Sequence, residues 1–221
     1  MSTRALYTFR SGDGSEEHHV YVHSDGYPTG AADKIVSALE YAWPLPRYEA
    51  DEFAAAFVAA NKAYYINEEL DLLREVEASL NGTSKRPLID VQKDLINCRR
   101  YGAQGFNGGG VRLMPSGDWT EVAPQDIEYR YLIQPRGGVG AGTQMNAQLL
   151  VQAFKVSHQG QYEYVEGKPT RDGHRTFRER KVPKSRQGWS GERLFTAPLK
   201  SGKTLKDKAA AWEAKDRAAA A

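Results

Sequence analysis

Cysteine is almost absent from this chain of 221 residues: Cys98 stands alone. An internal disulfide framework is therefore excluded, and a reducing cytoplasm is the expected compartment. No apolar run approaches the roughly 18 residues that a spanning helix needs. No charged-then-apolar leader opens the sequence, so secretion is not expected. Asn81-Gly82-Thr83 accordingly reads as a helix stop rather than a glycosylation site. No set of nucleophile, base and orienting group combines the right spacing with the right context, so an enzyme is the least supported class and no cofactor is expected.

The near-neutral total charge of +2 conceals an asymmetry. Through Phe154 there are 14 Lys+Arg against 20 Asp+Glu; from Lys155 onward there are 16 against 8. An acidic body is followed by a basic tail.

The stretch His19-Val20-Tyr21-Val22-His23-Ser24-Asp25-Gly26-Tyr27-Pro28-Thr29-Gly30 packs three structural signals into a short span. Val20 and Val22 alternate with His19, Tyr21 and His23, the pattern of a strand with one aliphatic and one aromatic-polar face. Asp25-Gly26 is turn chemistry, with glycine expected to supply the positive φ. Pro28 disfavours helix at Tyr27, so a helix is expected from about Ala31 to Tyr41, capped by Thr29 and presenting Ile35, Val36 and Leu39 on one side. Tyr27 is then left on a rigid corner beside a helix N-terminus, where backbone N–H groups favour an anion.

Together with Ser2-Thr3-Arg4, the segment Tyr21-Val22-His23-Ser24-Asp25-Gly26-Tyr27-Pro28 resembles a loose group of small uncharacterised phage and prophage proteins. Their N-terminal Thr-Arg strand and His-x-Asp-Gly-Tyr-Pro turn are similar to those here. Gly108-Gly109-Gly110-Val111-Arg112-Leu113 and Asp126-Ile127-Glu128-Tyr129-Arg130-Tyr131 resemble that group's glycine-led and acidic-aromatic strands. The likeness covers about a third of the chain and implies phage origin rather than a particular chemistry.

Taken in order, Thr3–Arg10 alternates as a strand and is expected to pair with His19–His23 as a hairpin. The first helix ends near Trp43-Pro44-Leu45-Pro46. A second helix runs from Glu49 to about Lys62, with Phe53 and Phe57 on its buried side and Asp51 and Glu52 at its positive end. A third spans Asn67–Leu80. Val111–Met114 is a strand, and Ile127, Tyr129, Tyr131 and Ile133 face a core opposite Glu128 and Arg130. Gln148–Val156 and Gln161–Val165 read as a hairpin around His158-Gln159-Gly160. The predicted class is α+β: a mainly antiparallel sheet with two or three helices packed on one face, plus a basic C-terminal arm ending in a helix. The expected division is a body over 1–167, a basic extended arm over 168–203 and a terminal helix over 204–221.

Several groups invite a chemical reading. His19 and His23 share a strand face about 13 Å apart, too far to bind one metal ion together. Gly137-Gly138-Val139-Gly140-Ala141-Gly142-Thr143 mimics a phosphate loop without the lysine, and Ser201-Gly202-Lys203-Thr204 lacks the partnering glycine. Cys98 beside Arg99 and Arg100 reads as a half-buried thiol. Arg4, Tyr21, His23 and Asp25 form a candidate anion pocket. The strongest signal is Arg171, Arg175, Arg178, Arg180, Lys181, Lys184 and Arg186, interleaved with Phe177 and Trp189. Cations fit phosphates, and aromatics stack on bases or fill protein pockets.

With Tyr27, these residues are the expected partner-binding set. The expected role is a phage-type binding protein that occupies a host protein or ribonucleoprotein complex, in the manner of an anti-CRISPR counter-defence inhibitor. The alternative is direct binding of a nucleotide or nucleic acid. No membrane partner is expected; self-association is a further candidate.

Overall fold

The computed structural model describes residues 3–42, 48–62, 110–136, 149–168, 172, 175–199 and 202–220. The expected helix Asn67–Leu80, the glycine loop Gly137–Thr143, Cys98 and Arg171 lie outside the described residues. Among the described residues no helix is long and apolar enough to cross a membrane.

Strands β1 (Ala5–Arg10) and β2 (Glu17–Val22) form the predicted antiparallel hairpin, with Thr8 opposite His19 and Leu6 opposite Tyr21. Helix α1 is Pro28–Ala38, and a second helix, α2, occupies residues 50–62. Then follow β3 (Arg112–Leu113), the single-turn α3 (Trp119–Val122) and β4 (Tyr129–Pro135). Strands β5 (Leu149–Gln159), β6 (Tyr162–Glu166), β7 (Phe177–Lys181) and β8 (Gly188–Pro198) lead to helix α4 (Lys203–Ala220). Among the described residues six strands make one sheet in the order β3-β2-β1-β4-β5-β8, while β6 and β7 pair with each other alone. The class is α+β, and every pair in the sheet is antiparallel except β1 with β4.

Alternation along the strands sends one set of side chains toward the helices. Tyr7, Phe9, Val20, Tyr131, Ile133, Val151 and Ala197 bury against Ile35 of α1, Phe53 and Phe57 of α2, and Leu205 and Ala209 of α4. At its centre Tyr7 lies 4.5 Å from Phe57 and stacks on Tyr131 at 5.1 Å between ring centres. The Tyr131 hydroxyl donates to Gly26 O at 2.8 Å, so a buried polar atom is satisfied and the Asp25–Gly26 corner is tied to the central strand.

The structure corrects several local expectations. The N-cap of α1 is Tyr27, not Thr29, because Pro28 occupies the first helical position, where its missing N–H costs nothing. The left-handed conformation at the corner belongs to Asp25 (φ 55°), which a short polar side chain tolerates. Gly26 is needed for space instead: a Cβ there would stand 2.7 Å from Ala5 Cβ and 2.9 Å from Ala5 N.

The hairpin expected at His158-Gln159-Gly160 does not form. The chain runs on through it, β5 pairing with β8 and β6 with β7, because reversal there would leave the long apolar face of β5 without a neighbour. Ile127 precedes its strand and packs on the opposite face with Leu6, Tyr21 and Val156, where Arg130 is also buried.

The expected arm, 168–203, is divided. Gly188–Pro198 forms the edge strand beside β5, with Ala197 and Leu199 buried, and only the part before it projects. The basic terminal helix finds its surface on α1, where Lys206 pairs with Asp33 at 2.7 Å and Thr29 N donates to Glu213 Oε1 at 2.7 Å. Leu205→Ala should therefore cost about 2–5 kcal/mol in urea unfolding; an unchanged midpoint would place that helix outside the cooperative unit.

Candidate interaction surface

Strands β5 and β6 run in one direction and β7 and β8 return, so that β6 and β7 make a two-stranded arm extending beyond the sheet. Its root is fixed in three ways. Val182 is buried and its N–H donates to Gln161 O at 2.8 Å. Gln187 Nε2 donates to Val182 O at 2.8 Å. Trp189 donates its indole N–H to Thr120 O at 2.9 Å and lies 5.2 Å from Trp119.

Cross-strand register sets the two faces of the arm. Tyr162 opposes Lys181, Tyr164 opposes Glu179 and Glu166 opposes Phe177 on one face; Glu163 opposes Arg180 and Val165 opposes Arg178 on the other. Tyr162, Tyr164 and Phe177 are 55%, 72% and 62% exposed, an unusual outlay of aromatic surface on a ribbon of five-residue strands.

The cations are used unequally. Arg180 pairs with Glu163 at 2.6 Å, Arg186 approaches the same carboxylate at 3.6 Å, and Arg175 lies 3.8 Å from Glu166. Arg178, Lys181 and Lys184 are exposed and make no ion pair among the described residues. Over 160–187 the sequence holds eight Lys+Arg against four Asp+Glu, so the arm stays basic after its internal pairs are made. The Tyr-x-Tyr alternation at 162 and 164 was the signal for the two aromatics that sequence reasoning left out of this surface.

Of the candidate anion pocket, Arg4, Tyr21 and His23 come together, and Asp25 turns away toward Lys34, 3.8 Å distant. The Tyr21 hydroxyl and His23 Nδ1 are 3.0 Å apart. Arg4 interacts with the same phenol and pairs with Asp126 at 3.1 Å. Arg112, absent from the sequence-based set, places its guanidinium 4.8 Å over the Tyr21 ring. Burial and then the Asp126 charge push the Tyr21 phenol up, against the opposing pull of Arg4 and Arg112. Tyr27 stands at the helix corner as expected, 39% exposed. The amide at the mouth of that helix is already held by Glu213.

A second polar assembly is buried beneath α3. His19 Nε2 lies 2.8 Å from Gly117 O, and a carbonyl can only accept, so Nε2 carries the proton. Neutral His19 then accepts at Nδ1 from the Thr8 hydroxyl at 3.1 Å, and Thr8 Oγ1 in turn accepts from Arg130 Nε at 3.4 Å. The Arg130 guanidinium lies 4.5 Å from the Trp119 ring centre and 5.8 Å from that of Phe154. Burial pulls its pKa down to about 10, which leaves it charged at neutral pH. All three side chains belong to the fold's interior and offer no access to a reactant.

No family model, no curated protein and no solved structure matches the chain.

The His19 environment has a measurable consequence. Burial lowers its pKa below 6.5, more than the Gly117 carbonyl and Glu17 raise it, so the unfolded chain binds this proton more readily than the native one. The resulting stability is fully present above about pH 6.5 and declines as pH falls from there toward the depressed native value. Urea unfolding at pH 7.5 and 5.5 should show a smaller loss between the two for His19→Gln than for the wild type; equal losses would refute the assignment of a neutral His19.

Proposed function

We propose that this chain is a phage-type binding protein that acts by occupancy, docking its β6–β7 arm on a host complex that handles nucleic acid. Counter-defence of the anti-CRISPR kind is the biological role this reading gives it. The observation that carries it is the arm itself. A two-stranded ribbon contributes little stability alone, yet this one projects three exposed aromatics and a surplus of cations from a fixed root. Large aromatic side chains with arginine beside them are the residue types that dominate binding energy in protein interfaces. A positive surface steers the approach to an acidic or nucleic-acid-bearing target. Phage origin rests on the likeness of the Tyr21–Pro28 segment and its companions to the phage and prophage group.

A second reading, direct binding of DNA or RNA, is favoured by the position of Lys181 on the same face as Tyr162, Tyr164 and Phe177, where phosphate contact and base stacking can occur together. Salt separates the two. Direct binding through Arg178, Lys181 and Lys184 should give a log–log salt slope of about −2 to −3. Occupancy of a protein surface should leave a partner attached after nuclease treatment.

The test uses the tagged full chain in host lysate, beside the triple variant R178E/K181E/K184E. These exposed positions should leave the unfolding midpoint unchanged, while the variant loses the co-purifying complex that the wild type retains after nuclease. Retention of the same complex by the variant, or no protein recovered by the wild type at low salt, would overturn the proposal.

A further inference from the structure

Between α1 and α2, away from the arm, lies a cavity of about 390 Å³ lined by Asp25, Tyr27, Asp33, Lys34, Ser37 and Asn61. That volume falls within the range of small-molecule sites. Its walls are held by the fold. Gly30 passes so close to the corner that a Cβ there would stand 2.6 Å from Asp25 O. Asn61 is buried and bridges the two helices, donating to Phe57 O at 2.8 Å and to Lys34 O at 3.2 Å.

The hydrogen-bonding capacity left in the lining favours a donor-rich ligand. Both amide hydrogens of Asn61 go to those carbonyls, which leaves its Oδ1 as the polar atom for any further contact. The Ser37 hydroxyl donates to Lys34 O at 2.9 Å, so its remaining capacity is lone pairs. Asp25 and Asp33 contribute only acceptors when ionised. Asp33 uses Oδ1 for Lys206 at 2.7 Å, whereas Asp25 sits 3.8 Å from Lys34 Nζ, beyond hydrogen-bond reach. Among the described residues the lining is thus rich in acceptors, with two carboxylates against one ammonium. Tyr27 reports the same negative field: after burial, Asp25, Glu213 and Asp33 push its phenol up. Its ring, 39% exposed, offers a π-face to a cation.

We infer that this cavity binds a small organic amine of the aliphatic di- or polyamine class, its ammonium hydrogens received by Asp25 and Asp33 with the Tyr27 ring against its charge. A ligand rich in donors satisfies Ser37 Oγ and Asn61 Oδ1 as well. An anionic or acceptor-rich ligand would meet lone pairs on nearly every wall.

Isothermal titration of the full chain with putrescine and spermidine, at fixed ionic strength, tests this. Binding in the micromolar range is expected, with saturation at one ligand per chain. Asp25→Asn removes the charge while keeping a residue that tolerates the left-handed corner, and should weaken binding at least about tenfold. Tyr27→Leu provides an independent second variant, should the corner prove sensitive, and should also weaken binding. The thermal unfolding midpoint of each free variant guards against a folding defect. No heat with either amine, equal affinity in wild type and both variants, or preferential binding of AMP or glucose in the same titration would each overturn the proposal.

Discussion

The pairing of β5 with β8 governs the rest of this structure. Gln159 lies opposite Gly188 and Leu150 opposite Pro198, so one long ladder brings a basic C-terminal segment into the sheet as its edge strand. An irregularity at Ala153/Phe154 accommodates one extra residue of β8, Leu194, so that Leu194 and Phe195 both pack against the helix-covered core. The ladder also sets the direction in which the chain leaves the sheet, and so where the arm points. Below it, Leu199 N donates to Leu149 O at 2.8 Å and leads the chain into the last helix. Arm, edge strand and terminal helix are therefore positioned by one set of backbone hydrogen bonds.

Much of the fold was legible in local pattern. The β1–β2 hairpin, helix 50–62 and the terminal helix each follow from alternation or helical spacing, with apolar residues marking the buried side. The misplacements came where tertiary contact chose among local options. Arg130 lies on the face opposite the aromatic core, as alternation predicts, but that face is itself covered there. Its burial depends on Thr8, Trp119 and Phe154 arriving from three other elements, which no local window contains. His158-Gln159-Gly160 contains a turn-forming glycine, yet Gly160 is passed without reversal because Gly188–Pro198 supplies a better neighbour for β5. The cations of the arm could be read from composition. Which of them remain outward could not, since that rests on Glu163 serving both Arg180 and Arg186.

The two faces of the sheet do different work. The helix-covered face is aromatic and aliphatic, with the Tyr131 hydroxyl paired to Gly26 O. The other carries a connected polar set of Arg130, Thr8 and His19 that ends on the carbonyl of Gly117. The bond from His19 to the Gly117 carbonyl ties the Pro115–Asp118 turn, and α3 after it, to the sheet. Because α3 receives Trp189, the root of the arm inherits that orientation. Rigidity at the projecting element is thus derived from a buried network on the far side of the strands, independent of the aromatic core.

The contact between Thr29 and Glu213 joins an early residue to one near the C-terminal end of the described chain. Together with the Asp33–Lys206 pair, it means that α1 is covered by a helix synthesised long after it. The strand between β1 and β5 is equally dependent on distant sequence, for β4 joins β1 in parallel across more than a hundred intervening residues. Contacts of such sequence separation delay folding, since loop closure must precede the interactions that reward it. A nascent chain halted before Gly188 would expose the apolar flank of β5 and the uncovered side of α1. Its vulnerability to proteases and to self-association would then last until β8 and α4 have been made and have docked.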